Sequence, residues 1–100
     1  MVGNAKSKNN IPVRLTDERW AHITEEHGEM AGMREEVLKT VADPMRIYAG
    51  TAGELVAARE VELGKWLIVV YRELEKNGFV ITAFLIRRVA LLERREKLWP

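Results

Sequence analysis

The fold is decided between residues 54 and 88, which read ELVAAREV (54–61), ELGK (62–65), WLIVVYRE (66–73), LEKNG (74–78) and FVITAFLIRR (79–88). The runs 54–61, 66–73 and 79–88 are rich in β-branched and aromatic residues, which favour extended backbone. Leu63-Gly64 and Asn77-Gly78 separate them, and Asn-Gly is the strongest short hairpin signal. The stretch therefore predicts three strands joined as consecutive antiparallel hairpins. A register that sets Val61 opposite Trp66, and Tyr71 opposite Thr82, puts Arg59, Arg72 and Arg87 on one face of the sheet. Tyr71, Thr82 and Arg88 then lie on the other face, and a slip of one residue exchanges the two sets.

Working outward, residues 45–48 form a short fourth strand and 50–53 a loop. Before Pro44 the apolar spacing is helical. Residues 11–15 alternate weakly and end at Thr16, a good N-cap, with Asp17 and Glu18 at the positive end of the helix dipole. On this first helix Trp20, Ile23, Thr24 and His27 share one side, while Glu18, His22, Glu25 and Glu26 share the other. Gly28 supplies a stop. A second helix follows Gly32, carries Met33, Val37, Leu38 and Val41 as its stripe, and ends at Asp43-Pro44. Residues 90–99 can form a short terminal helix. The expected class is α+β: two N-terminal helices, then a four-stranded, mainly antiparallel sheet and a short C-terminal helix. Residues 1–10 read as a flexible tail, and 11–100 as one domain.

Composition narrows the function classes. One hundred residues suit a single core, and 47% apolar with 31% charged residues is neither disordered nor membrane-embedded. The longest apolar run, 66–71, is far below the roughly 18 residues that cross a bilayer. No membrane partner is expected, and the polar start of the chain does not read as a secretion signal. The absence of cysteine removes disulfides, thiolate zinc sites and cysteine nucleophiles, and a cytoplasmic location is the expectation. Net charge is only +1, yet Arg87, Arg88, Arg94, Arg95 and Lys97 cluster near the end of the chain while 17–36 is acidic. Such segregation suits one cationic face.

A metal-free ribonuclease needs arginine on the phosphate and histidine or tyrosine for proton transfer or orientation. The chain has that inventory in His22, His27, Arg59, Tyr71, Arg72, Thr82, Arg87 and Arg88. Each residue also has an ordinary structural role. His27 suits a capped helix end, and His22 a solvated, acidic helix face. Arg59, a charge among apolar strand positions, needs a partner, either a phosphate or a glutamate. Tyr71 and Thr82 suit a cross-strand pair, and Arg87 and Arg88 suit exposed charges at a strand end. His22 and His27 are five residues apart, about 140° around a helix of 3.6 residues per turn, so they do not form a zinc-binding pair of the i, i+4 kind.

Several short motifs resemble known nucleases. Trp20-Ala21-His22-Ile23 followed by His27-Gly28-Glu29 resembles the W-x-H-I … H-P-E helix of phage and bacterial proteins in the barnase–EndoU–colicin–RelE (BECR) group. Val41-Ala42-Asp43-Pro44 is similar to the V-x-D/N-P stop after their second helix, and Ile81-Thr82-Ala83-Phe84 to the V-x-T-A-Y/F of their late strand. The order of elements also resembles BrnT-like toxins of the RelE superfamily. Their helix end, Ala-Asp-Pro, arginine-bearing strand, G-x-x-L-x-V-V-Y strand and C-terminal Arg/Glu helix have counterparts in His27-Gly28, 42–44, Arg59, 64–71 and Arg88 through Arg94. The chain departs at Glu26, where those toxins carry lysine, at Gly28, where the phage-type pattern has proline, and at Leu85-Ile86-Arg87 in place of the toxins' Ser-Ala-Arg.

The resemblance implies a RelE/BECR-like fold and a small, metal-independent endoribonuclease, toxin-like or phage-derived, that needs no cofactor. It makes His27, Arg59, Thr82 and Tyr71 the catalytic candidates, with His22, Arg88, Arg87 and Arg72 binding the substrate. RNA, a cognate antitoxin-like protein and a second copy of the chain are the implied partners. The alternative is a non-catalytic RNA-binding or protein-interaction module of the same fold.

Overall fold

A computed structural model describes residues 3–100. The elements are β1 (Gly3–Lys6), β2 (Pro12–Leu15), α1 (Asp17–Glu26), α2 (Arg34–Ala42), β3 (Arg46–Ala49), β4 (Leu55–Glu62), β5 (Lys65–Glu73), β6 (Gly78–Ile86) and β7 (Lys97–Trp99). Single 3₁₀ turns occupy Gly28–Met30 and Val89–Leu92. Neither α-helix is long and apolar enough to cross a membrane.

The α+β class holds, but the expected layout of four strands with a terminal helix does not. One seven-stranded mixed sheet runs in the order β1-β2-β6-β5-β4-β3-β7. Every neighbouring pair is antiparallel except β2 and β6, which are parallel. Two strands come from the stretch read as a tail and its continuation. Gly3–Lys6 is polar and too short to show a period, yet it pairs along its length with β2. Its Gly3 lies close against Leu38 of α2, where a Cβ would come within 2.7 Å of Leu38 Cδ1. The third extra strand replaces the terminal helix. Only Val89–Leu92 turns, after which the backbone extends beside β3. The edge of β3 would otherwise leave its amides and carbonyls unpaired; instead Ala49 donates to the Glu96 carbonyl at 2.8 Å and β7 continues the ladder.

The hairpins lie where the sequence puts them, with a different register. Trp66 faces Glu60, not Val61, and Thr82 faces Val70, not Tyr71. Register shifts cause both departures, one between Glu60 and Glu62 and one between Val70 and Tyr71. The second leaves Ile81 as an extra residue on β6, since Val80 pairs with Tyr71 and Thr82 with Val70. A bulge of this kind bends its strand and re-aims the side chains.

One sheet face packs on the helices. Leu15, Ile23, Met30, Val37, Val41, Leu67, Val69, Tyr71 and Val80 form the main core there. The other face carries a smaller cluster of Tyr48, Val56, Ala58, Trp66 and Ile68, covered by Leu92 from the C-terminal 3₁₀ turn. Arg46 ties that cover down: it donates to Glu93 at 2.8 Å and lies over the Trp66 ring at 5.2 Å.

Candidate functional site

The start of α1 is fixed twice. The Thr16 side chain accepts from the Arg19 amide at 3.1 Å, the cap expected from sequence. Arg34, at the start of α2, donates to Asp17 at 2.6 Å and to the Leu15 carbonyl at 2.9 Å. Ile23 is buried in the core and Trp20 packs against it, so the flank carrying Arg19, His22 and Glu26 faces outward. That flank meets the edge of β6. Strand β2 pairs with β6 only at Gly78 and Phe79. From Val80 onward, no strand among the described residues covers the outer side of β6.

A groove of about 410 Å³ lies along this junction, lined by Arg19, His22, Ile23, Glu26, His27, Ile81, Thr82 and Phe84. Three of the eight sequence candidates, His22, His27 and Thr82, meet here. Sequence spacing had put the two histidines on different sides of the helix. The helix ends at Glu26, and His27 is its cap with φ −132° and ψ 78°, so a helical wheel no longer describes where His27 points. Its ring centroid lies 5.7 Å from that of Phe84, with the planes tilted by 38°. Its Nδ1 is 3.8 Å from Glu29 Oε2. The Ile81 bulge sets Thr82 on the sheet face opposite Tyr71, and Thr82 lines the groove at the edge of β6.

The other candidates lie elsewhere. Arg59 turns to α2, where Nη2 pairs with Glu36 at 2.5 Å and with the Glu36 carbonyl at 3.2 Å, and Nε donates to Thr40 Oγ1 at 3.1 Å. Its partner is a glutamate, and the helix supplies it. This bond from Arg59 holds the Glu36 carboxyl below its ordinary range. Tyr71 is a core residue with no exposed surface. Burial pushes its phenol well above its ordinary range, reinforced by the charge of Glu73, so it neither reaches a substrate nor gives up its proton readily. Arg72 donates to the Ala52 carbonyl at 2.9 Å and lies 3.7 Å from Glu54. Arg87 and Arg88 are exposed beyond the end of β6 and do not line the groove. The four catalytic candidates, of which the expected register sets Arg59 on one sheet face and Tyr71 and Thr82 on the other, are divided: His27 and Thr82 line the groove, while Arg59 and Tyr71 are held in structural contacts.

Arg19, Glu26 and Phe84 are groove residues that sequence reasoning passed over. Arg19, His22 and Glu26 follow an i, i+3, i+7 spacing, which marks one helix flank and was a usable signal. The guanidinium of Arg19 has no ion pair among the described residues and is exposed. Chemically, the groove offers one fork-shaped cation, two imidazoles, a carboxylate and a hydroxyl beside an aromatic ring. Compared with protein-family models, curated proteins and solved structures, the chain shows no significant match.

Proposed function

We propose that this protein is a metal-independent endoribonuclease whose site is the groove between α1 and β6. The observation that carries the reading is the meeting of His22, His27 and Thr82 with Arg19, whose guanidinium has no ion pair among the described residues, on one open groove. RNA carries its own nucleophile, so the protein must move two protons and offset the charge gathering on phosphorus. His27 takes the proton from the 2′-hydroxyl as the bond from O2′ to phosphorus forms. His22 gives a proton to the departing O5′ as the bond from phosphorus to O5′ breaks. The products are a 2′,3′-cyclic phosphate and a 5′-hydroxyl. Arg19 holds the non-bridging oxygens, and the Thr82 hydroxyl donates to the same group. Such an enzyme works in the cytoplasm, where RNA and a neutralising antitoxin-like protein are at hand.

A second reading has one observation in its favour. Arg59, which the family resemblance would aim at phosphate, is occupied by Glu36. A groove left with Arg19 alone is suited to binding RNA without cutting it. One assay separates the two. Purified protein is incubated with a defined RNA in excess chelator, and the ends of any fragments are identified. Cyclic phosphate ends, lost about 100-fold or more in His27→Ala and in His22→Ala, are the expected result. Arg59→Ala should retain the cleavage rate within a few-fold. RNA that is bound and left intact by the unmodified protein supports the second reading and overturns the first.

A further inference from the structure

We infer that the groove takes an unpaired ribonucleotide, with its base stacked on Phe84 and its phosphate held by Arg19, so that the ligand is single-stranded RNA. The inference rests on the groove being an RNA site and adds the class of RNA and the residue that selects it. Tyr71, an aromatic candidate in the sequence, is buried in the core and offers no face to a base. Phe84 is the one benzene ring lining the groove among the described residues. It also packs against the cluster on the second sheet face, and Ile68 faces it across the strand pair. The ring is thus held from behind before any ligand arrives, which removes part of the ordering cost of binding.

The ring geometry restricts how a base fits. A base inserted between His27 and Phe84 needs about 7 Å, two van der Waals spacings of about 3.5 Å. The centroids are 5.7 Å apart and the planes are not parallel. The base therefore stacks on the open part of Phe84 as an extension of the pair, which leaves the His27 imidazole beside the ribose. Arg19, on the opposite wall, reaches the adjoining phosphate. An A-form duplex keeps its bases stacked inside and presents ribose and phosphate, so it gives Phe84 nothing to stack on. A groove of about 410 Å³ lies at the small end of ligand sites, which span about 300–1,000 Å³, a fit for one splayed nucleotide.

The test uses a labelled single-stranded oligoribonucleotide carrying 2′-O-methyl groups, which removes the attacking hydroxyl, and the same strand annealed to its complement. Fluorescence anisotropy gives affinities for the unmodified protein, Phe84→Leu and Phe84→Trp, and cleavage of the unmethylated strand is followed in parallel. The expected result is at least tenfold preference for the single strand, lost about 5- to 150-fold in Phe84→Leu, the range for one stacked base, and retained in Phe84→Trp. Equal affinity for the duplex overturns the inference. So does unchanged binding by a Phe84→Leu protein with the parent's melting temperature, or a tenfold loss in Phe84→Trp, which keeps a stacking face. Binding that depends on Phe84 without any cleavage upholds the inference and removes the nuclease reading. Cleavage that persists unaltered in Phe84→Leu does the reverse, and no binding to either RNA removes both.

Discussion

Arg59 donates to three acceptors on α2, two of them on Glu36, and this sets its contribution to stability. Because the bond holds the Glu36 carboxyl below its ordinary 4.5, the stabilisation is fully present above pH 4.5 and disappears as pH falls through the lowered value. Glu36→Gln should therefore melt below the parent protein at neutral pH, by about 1 kcal/mol or less, because Glu36 is 44% exposed and solvent screens the pair. The gap should close in acid; thermal melts followed by circular dichroism from pH 7 to pH 3 check it. A gap that widens in acid would show that Glu36 is not the titrating partner. Tyr71→Phe should leave RNA cleavage unchanged, as measured by initial rates, since the side chain is enclosed by the core. His27 and Thr82 became candidates through the motifs of the family resemblance, and the structure brings both to one groove. The destination of Arg59 was not legible, because choosing between a phosphate and a carboxylate as partner depends on which helix turn lies over β4.

Among the elements, β6 has the most specific construction. Gly78 opens it close against the Arg72 backbone, and a Cβ there would meet the Arg72 carbonyl oxygen at 2.4 Å. Gly78→Ala should cost about 1–3 kcal/mol, seen as a lower denaturant midpoint with an unchanged slope. A neutral outcome would mean that the hairpin shifts freely. The sequence pointed to this glycine for a different reason. With Tyr71 opposite Thr82, Asn77-Gly78 ends a four-residue loop at 75–78, whereas the loop is 74–77, closed by the Leu74 amide donating to the Asn77 carbonyl at 2.6 Å. The glycine that needs a positive φ is Gly64, at +75°, in the β4–β5 turn. Strand positions were readable from composition, since long β-branched runs have few other uses. The bulge at Ile81 was not readable, because an inserted residue changes pairing without changing composition, and it decides which face Thr82 serves. The three-residue β7 is shorter than one helical turn and too short to repeat a strand alternation twice, and what extends it is the open edge of β3.

At the scale of the molecule, residues near both ends of the chain complete the sheet, β1 and β2 on one side and β7 on the other. Removing residues 97–100 should expose the β3 edge, lower the melting temperature by about 4 °C or more for each kcal/mol lost, and promote self-association through the bare strand. Scanning calorimetry with light scattering measures both; an unaltered, monodisperse protein would show that β7 contributes nothing. The candidate site has its own long-range dependence. One wall is α1, from the first third of the chain, and the other is β6, made after β3, β4 and β5. The RNA cleavage proposed above would act on the same class of molecule from which the protein is made. During synthesis, at roughly 5–20 residues per second, both histidines emerge well before Thr82 and Phe84, and a nascent chain that stops at Asn77 has its imidazoles on a helix facing no opposing wall. On the proposed function, a message is therefore not cut by the chain still being made from it, because the groove does not exist until β6 has followed α1.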